Sequence, residues 1–123
     1  MCFNEIEQFI TVYRAVGLEE YYSIIQTNLF TCHPTGAEVK YFGLDRKETE
    51  LFANMIINLD VVAVFEIEVS KTTLKQVGDF TDVDQFLFKK GTVIIHKTDL
   101  DTFNNTVQSI IQVLWGGYYC VKS

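Results

Sequence analysis

The chain is 123 residues long, 48% hydrophobic and 14% aromatic, with one Pro and seven Gly, a composition that excludes disorder and long linkers and is expected to make one compact domain over residues 1–123. Its 16 acidic and 10 basic residues give a net charge of -6, which repels phosphate backbones and sets non-specific nucleic-acid binding aside. Cys2, Cys32 and Cys120 form no CxxC pair, and with His33 and His96 they lack zinc-site spacing; with neither a long apolar run nor a leader, the expectation is no membrane and a cytoplasmic place, or delivery to another cell without a classical signal.

In chain order, residues 1–8 are expected to form a short helical lead-in. Residues 9–16, FITVYRAV, read as a strand with Ile10, Val12, Arg14 and Val16 on one face and Phe9, Thr11, Tyr13 and Ala15 on the other. The first face is the more apolar, so Arg14 needs an anion there: a structural carboxylate or an anionic ligand. After Gly17, residues 18–29 read as an amphipathic helix with Leu18, Tyr21, Tyr22, Ile25 and Leu29 as its buried stripe. In the loop that follows, Cys32 and His33 are neighbours whose side chains point apart, which argues against a nucleophile and its base. Residues 38–43 make a short strand, and Asp45 with Glu48 is a capping box for a second helix whose predicted stripe is Leu51, Phe52, Met55, Ile56 and Leu59.

Residues 61–69, VVAVFEIEV, are the strongest strand, with Ala63, Phe65, Ile67 and Val69 on one face and Glu66 and Glu68 on the other. A short helix over residues 70–77 should end at Gly78, and residues 79–84 read as an acidic loop without the EF-hand pattern. Residues 85–88 and 92–96 are predicted strands joined across Lys89-Lys90-Gly91 as a tight hairpin or bulged corner. Thr98 is expected to cap a long helix with Leu100, Phe103, Val107, Ile110, Ile111 and Leu114 as its stripe, ended by Gly116-Gly117 before a strand-like tail. Neither GxGxxG nor GxxxxGK occurs, so the expectation is an α+β fold with a mixed or mostly antiparallel sheet and about three main helices.

Several of these pieces, in this order, resemble small bacterial ADP-ribosyltransferase-like domains of the toxin type. They are VYRAV at residues 12–16, the helix ending in Asn28-Leu29-Phe30, Val39-Lys40-Tyr41-Phe42 leading into an Asp-capped helix with Leu51-Phe52-Ala53, and the segment 91–104 with its Leu-x-x-Phe-Asn pattern. The resemblance implies that Arg14 holds the phosphates of NAD, as a guanidinium does by paired hydrogen bonds. Where such transferases carry Ser-Thr-Ser this chain has Tyr41 and Phe42, whose rings are expected either to line a nicotinamide pocket or to belong to the core. The run 85–92, QFLFKKGT, is similar to a family segment that opens with the catalytic Glu, which puts Gln85 at that position. An alternative alignment on the Leu-x-x-Phe-Asn helix brings Thr92 near the Glu used by some relatives.

A carboxylate stabilises the positive charge that grows on ribose as nicotinamide leaves. A glutamine keeps the hydrogen bond and loses that charge, at a cost of about a hundredfold or more in rate. The expected function is therefore an NAD-binding, toxin-related transferase-like protein with weakened or altered catalysis and NAD as its substrate. The alternative is a non-enzymatic binding or immunity-type module on the same fold that engages a basic protein partner.

Overall fold

A computed structural model describes residues 7–32, 38–81, 86–115 and 117–123. The elements run β1 (Phe9–Gly17), α1 (Leu18–Thr27), β2 (Val39–Gly43), α2 (Arg46–Ala53), a 3-10 turn (Ile56–Asn58), β3 (Val61–Ser70), α3 (Lys71–Val77), β4 (Gly78–Thr81), β5 (Thr92–His96), a 3-10 turn (Lys97–Asp99), α4 (Leu100–Asn105), β6 (Val107–Leu114) and β7 (Tyr119–Lys122). The strands form one seven-stranded sheet in the order β4-β5-β2-β1-β3-β6-β7, and every pairing is antiparallel. This is a small α+β domain. Its sheet is wholly antiparallel among the described residues, at the antiparallel end of the expected range, with four α-helices where about three were expected.

The side-chain period of a strand explains the layers. Val12 and Val16 of β1 and Ala63, Phe65, Ile67 and Val69 of β3 bury one face in the main core, beneath Ile24 of α1, Leu74 of α3 and Leu100 and Phe103 of α4. On the opposite face Val64 and Val113 pack under Ala53 of α2 in a second, smaller cluster. Arg14 therefore lies on the main-core face of β1, as the alternation predicts. Ser70 caps α3 by accepting from the Thr73 N–H, and Gly78 ends that helix, also as expected.

The largest departure is in the last third of the chain. The predicted long helix is a short one, α4, followed by β6. Residues 107–114 are rich in β-branched side chains, yet their buried positions, Val107, Ile110 and Val113, lie three apart and imitate a helix. A bulge and burial on both faces produce that spacing: β3 pairs Val69 with Val107 but Glu68 with Ser109, which brings Val107 and Ile110 into the same core, while Val113 lies on the opposite face under α2. Residues 86–90 are turns and not a strand, and β5 pairs with β2 on one side and on the other with β4, which takes up the start of the segment expected to be an acidic loop. The residue-85 end of that predicted hairpin, the N-terminal lead-in over residues 1–6, and His33 lie outside the described residues.

The two helical stripes also differ. In α1 the fully buried side chain is Ile24, with Tyr21 and Ile25 packed beside it, while Leu18, Tyr22 and Leu29 are exposed. In α2, Asp45 accepts from the Glu48 N–H at 3.1 Å, but Glu48 turns its carboxylate to the Lys90 N–H, so only half of the capping box forms. The Asn54 and Asn58 amides bond to the carbonyls of Glu50 and Phe52 and finish the helix after two turns. Met55, Ile56 and Leu59, beyond the helix, are consequently exposed, the last two to 81% and 82%, and Leu51 within the helix is exposed as well, where a buried stripe was predicted.

Candidate functional site

The sheet is weakest between its two central-left strands. β1 and β3 pair along their whole length, and β2 and β5 pair from Val39↔His96 to Gly43↔Thr92, but β1 and β2 share only the pair Tyr13↔Gly43. Beyond that pair no ladder joins the two strands, and a slot is left between them.

Arg14 fills the slot. Its Nε and Nη2 donate to the two carboxylate oxygens of Glu20 at 2.6 and 2.8 Å, and its Nη1 donates to the carbonyl of Tyr41 at 2.8 Å, which ties β1 to β2 by a side chain where the ladder is missing. The guanidinium carbon lies 5.7 Å from the centre of the Phe42 ring. Lys40 brings its Nζ within 3.2 Å of Glu20 Oε1, and the side chains of Lys40, Arg14 and Glu20 are only 8%, 18% and 21% exposed. The anion that the strand parity demanded is thus Glu20, and the local sequence delivers it. Helix α1 starts immediately after β1, so its first turn folds back over Arg14. Strand alternation in β2 puts Lys40 on the same face and Tyr41 on the other.

These contacts shape the charges. Burial alone would raise the Glu20 carboxyl, but the hydrogen bond and charge of Arg14, helped by Lys40, hold it below the ordinary carboxylate value. The Lys40 ammonium is held below its ordinary value by burial and then by the charge of Arg14, with Glu20 opposing.

A cleft of about 430 Å³ opens on the α2 side of the slot, lined by Tyr13, Arg14, Tyr41, Phe52, Phe88 and Thr92 among others. That volume is within the range of small-ligand sites. Its aromatic walls suit a flat ring. Gly43 forms part of the lining, and a methyl group there would collide with Thr49 Oγ1 and press within 3.3 Å of the Phe88 ring. Burial, followed by the charge of Glu66, pushes the Tyr13 phenol up and keeps it a neutral donor. A second hollow of about 410 Å³ lies against α1, with Glu20, Ser23, Thr31 and Lys40 in its wall.

Of the residues singled out by sequence, Arg14 and Tyr41 meet at the first cleft. Phe42 does not reach it. Its ring is fully buried in the core, 5.4 Å from Phe30 and 5.0 Å from Phe103, because β2 turns its side chain to the opposite face from Tyr41. Gln85 lies outside the described residues, while Phe88 and Thr92, from the same stretch of sequence, line the cleft. No family model, curated protein or solved structure matches the chain. Sequence reasoning missed Lys40 and Glu20 as a unit with Arg14. The readable signals were the parity of Lys40 with Phe42, and an acid in the first turn of a helix that follows the arginine strand across one glycine. No group of three or more His, Cys, Asp or Glu among the described residues is placed to hold a metal, and no described helix is long and apolar enough to cross a membrane.

Proposed function

We propose that the protein is an NAD-binding, ADP-ribosyltransferase-like domain, toxin-related in type, whose chemistry is weakened or altered because Gln85 stands where the catalytic Glu is expected. The observation that carries this reading is the slot itself: an arginine of the first strand and an exposed tyrosine of the second face one ring-sized cleft at the point where β1 and β2 separate. In this reading Tyr41 stacks on nicotinamide, Arg14 contributes N–H groups to the pyrophosphate, and Gln85 offers an amide to the ribose hydroxyl. Three of the five N–H groups of Arg14 are committed to Glu20 and Tyr41, so the ligand phosphate either shares the guanidinium or takes the place of Glu20.

Titration calorimetry tests the binding half. Wild type should bind NAD in the micromolar to millimolar range, with affinity lost in Arg14→Ala and reduced in Tyr41→Ala, a change at an exposed side chain that leaves the fold intact. Absence of any NAD heat for the folded wild type removes the reading. Release of labelled nicotinamide tests the chemistry: slow turnover in wild type should rise in Gln85→Glu, by about a hundredfold if charge is the missing element.

One feature favours the second reading, a non-enzymatic module that engages a protein partner. Leu51, Met55, Ile56, Ile57 and Leu59 form a run of exposed apolar side chains at the end of α2 and the turn after it. Replacing Ile56 and Leu59 by Lys should abolish capture of a partner and leave NAD binding unchanged if this surface, and not the cleft, carries the function.

A further inference from the structure

The Arg14–Glu20–Lys40 group has the composition of an occupied anion site. Two cations that are largely withdrawn from water share a single carboxylate, which is gripped by both oxygens on one side and approached by an ammonium on the other. A carboxylate held by a guanidinium fork presents the same pair of oxygens that a phosphate presents. The carboxylate is also removable. It belongs to the first turn of α1, its Cα is tied to no strand, and the wall of the second hollow beside it gives the side chain room to swing. The cations are not removable in the same way, since Arg14 is fixed by the Tyr41 carbonyl and Lys40 by its buried place on β2.

We infer that Arg14 and Lys40 together form a two-cation seat for a pyrophosphate-class anion, and that Glu20 occupies this seat in the free protein as an internal competitor. Lys40 is then a second phosphate-binding residue, and the affinity of the site is set by how often Glu20 leaves it. The inference deepens the NAD-binding proposal and rests on it for the identity of the nucleotide, but the seat itself requires only an anion. When the competitor holds the seat in about nine of ten molecules or more, its removal tightens apparent binding about tenfold or more, because only the vacated fraction is competent. Burial first, and then the charge of Arg14, hold the Lys40 ammonium below its ordinary value even with Glu20 present.

The test uses sodium pyrophosphate and, separately, NAD, titrated into wild type, Glu20→Gln, Glu20→Asp and Lys40→Gln at fixed ionic strength. Pyrophosphate should bind Glu20→Gln about tenfold or more tightly than wild type and Glu20→Asp by an intermediate margin, while Lys40→Gln should bind it more weakly than wild type. Since Glu20→Gln leaves two cations without their acid, its melting temperature is followed as well, and added pyrophosphate should raise it by more than it raises that of wild type. Equal pyrophosphate affinity in wild type and both Glu20 variants, or an unchanged affinity in Lys40→Gln, overturns the inference. Tightening for pyrophosphate with no NAD binding in any variant upholds the seat and removes the nucleotide reading instead.

Discussion

Asn104 holds two distant parts of the chain together, and its replacement by Ala should be among the costliest single changes in the protein. The side chain is buried, and it accepts from the Phe30 N–H at 2.9 Å while donating to the Phe30 carbonyl at 2.8 Å. In this way α4 stands in for a missing strand neighbour and satisfies both backbone groups of a residue just beyond α1. Ala leaves that N–H and C=O buried without partners, at about 1–3 kcal/mol each, and about 3–4 kcal/mol in all is a large part of the 5–15 kcal/mol typical of a domain. For a chain of this size about 3–6 °C is lost per kcal/mol, an interpolation between the smaller and larger size classes, so the melting temperature should fall by about 10–20 °C. Chemical denaturation monitored by circular dichroism gives the free energy directly. Asn104→Asp separates hydrogen bonding from packing, because it keeps the shape and the acceptor but sets a carboxylate against the Phe30 carbonyl. It should be as damaging as Ala at neutral pH and recover partly as the carboxyl is protonated. A loss below about 1 kcal/mol for Asn104→Ala would refute the argument that this bridge closes the core.

Acid should weaken the protein through Glu20. Its folded value lies below the ordinary 4.5, so the ion pair contributes fully above that pH and is lost as pH falls through the depressed value; the stability of wild type should drop there, and the drop should be shallower in Glu20→Gln. Gly78→Ala should cost about 1–3 kcal/mol in a denaturant melt, because the added methyl would strike the Leu74 carbonyl and sit 2.6 Å from Val93 Cγ2. Ile56→Lys with Leu59→Lys should change stability by less than about 0.5 kcal/mol each, since both side chains are exposed, and a larger loss by the same measurement would mean that they are packed in solution.

Elements whose local and tertiary preferences agree were readable from sequence. The alternation of β3 from Ala63 to Val69 survives intact because the ladder to β1 is regular from Val16↔Ala63 to Phe9↔Ser70, and the Ser70 cap and Gly78 stop define α3 without help from elsewhere. Residues 107–114 were misread because a bulge in the pairing with β3 and burial on both faces of the sheet together give an extended chain a three-residue burial period, and neither is displayed by one strand alone. The α2 stripe failed for a related reason: asparagine side chains end the helix early, so apolar residues at helical spacing after Ala53 have no helix to share. At the site, parity alone showed that Arg14 needs an anion, and left its source open between a structural carboxylate and a ligand. The structure supplies Glu20, a contact made by the change of chain direction at Gly17, and sends Phe42 into the core by the same alternation that leaves Tyr41 on the cleft.

The single ladder pair between Tyr13 and Gly43 divides the sheet into a three-strand leaf, β4-β5-β2, and a four-strand leaf, β1-β3-β6-β7. Within each leaf, rows of backbone bonds fix the strands to one another. Between the leaves, the Arg14 bond to the Tyr41 carbonyl acts as a rivet. The spread of the two leaves is thereby placed under the command of that side chain, and whatever binds the guanidinium also has its hand on the seam.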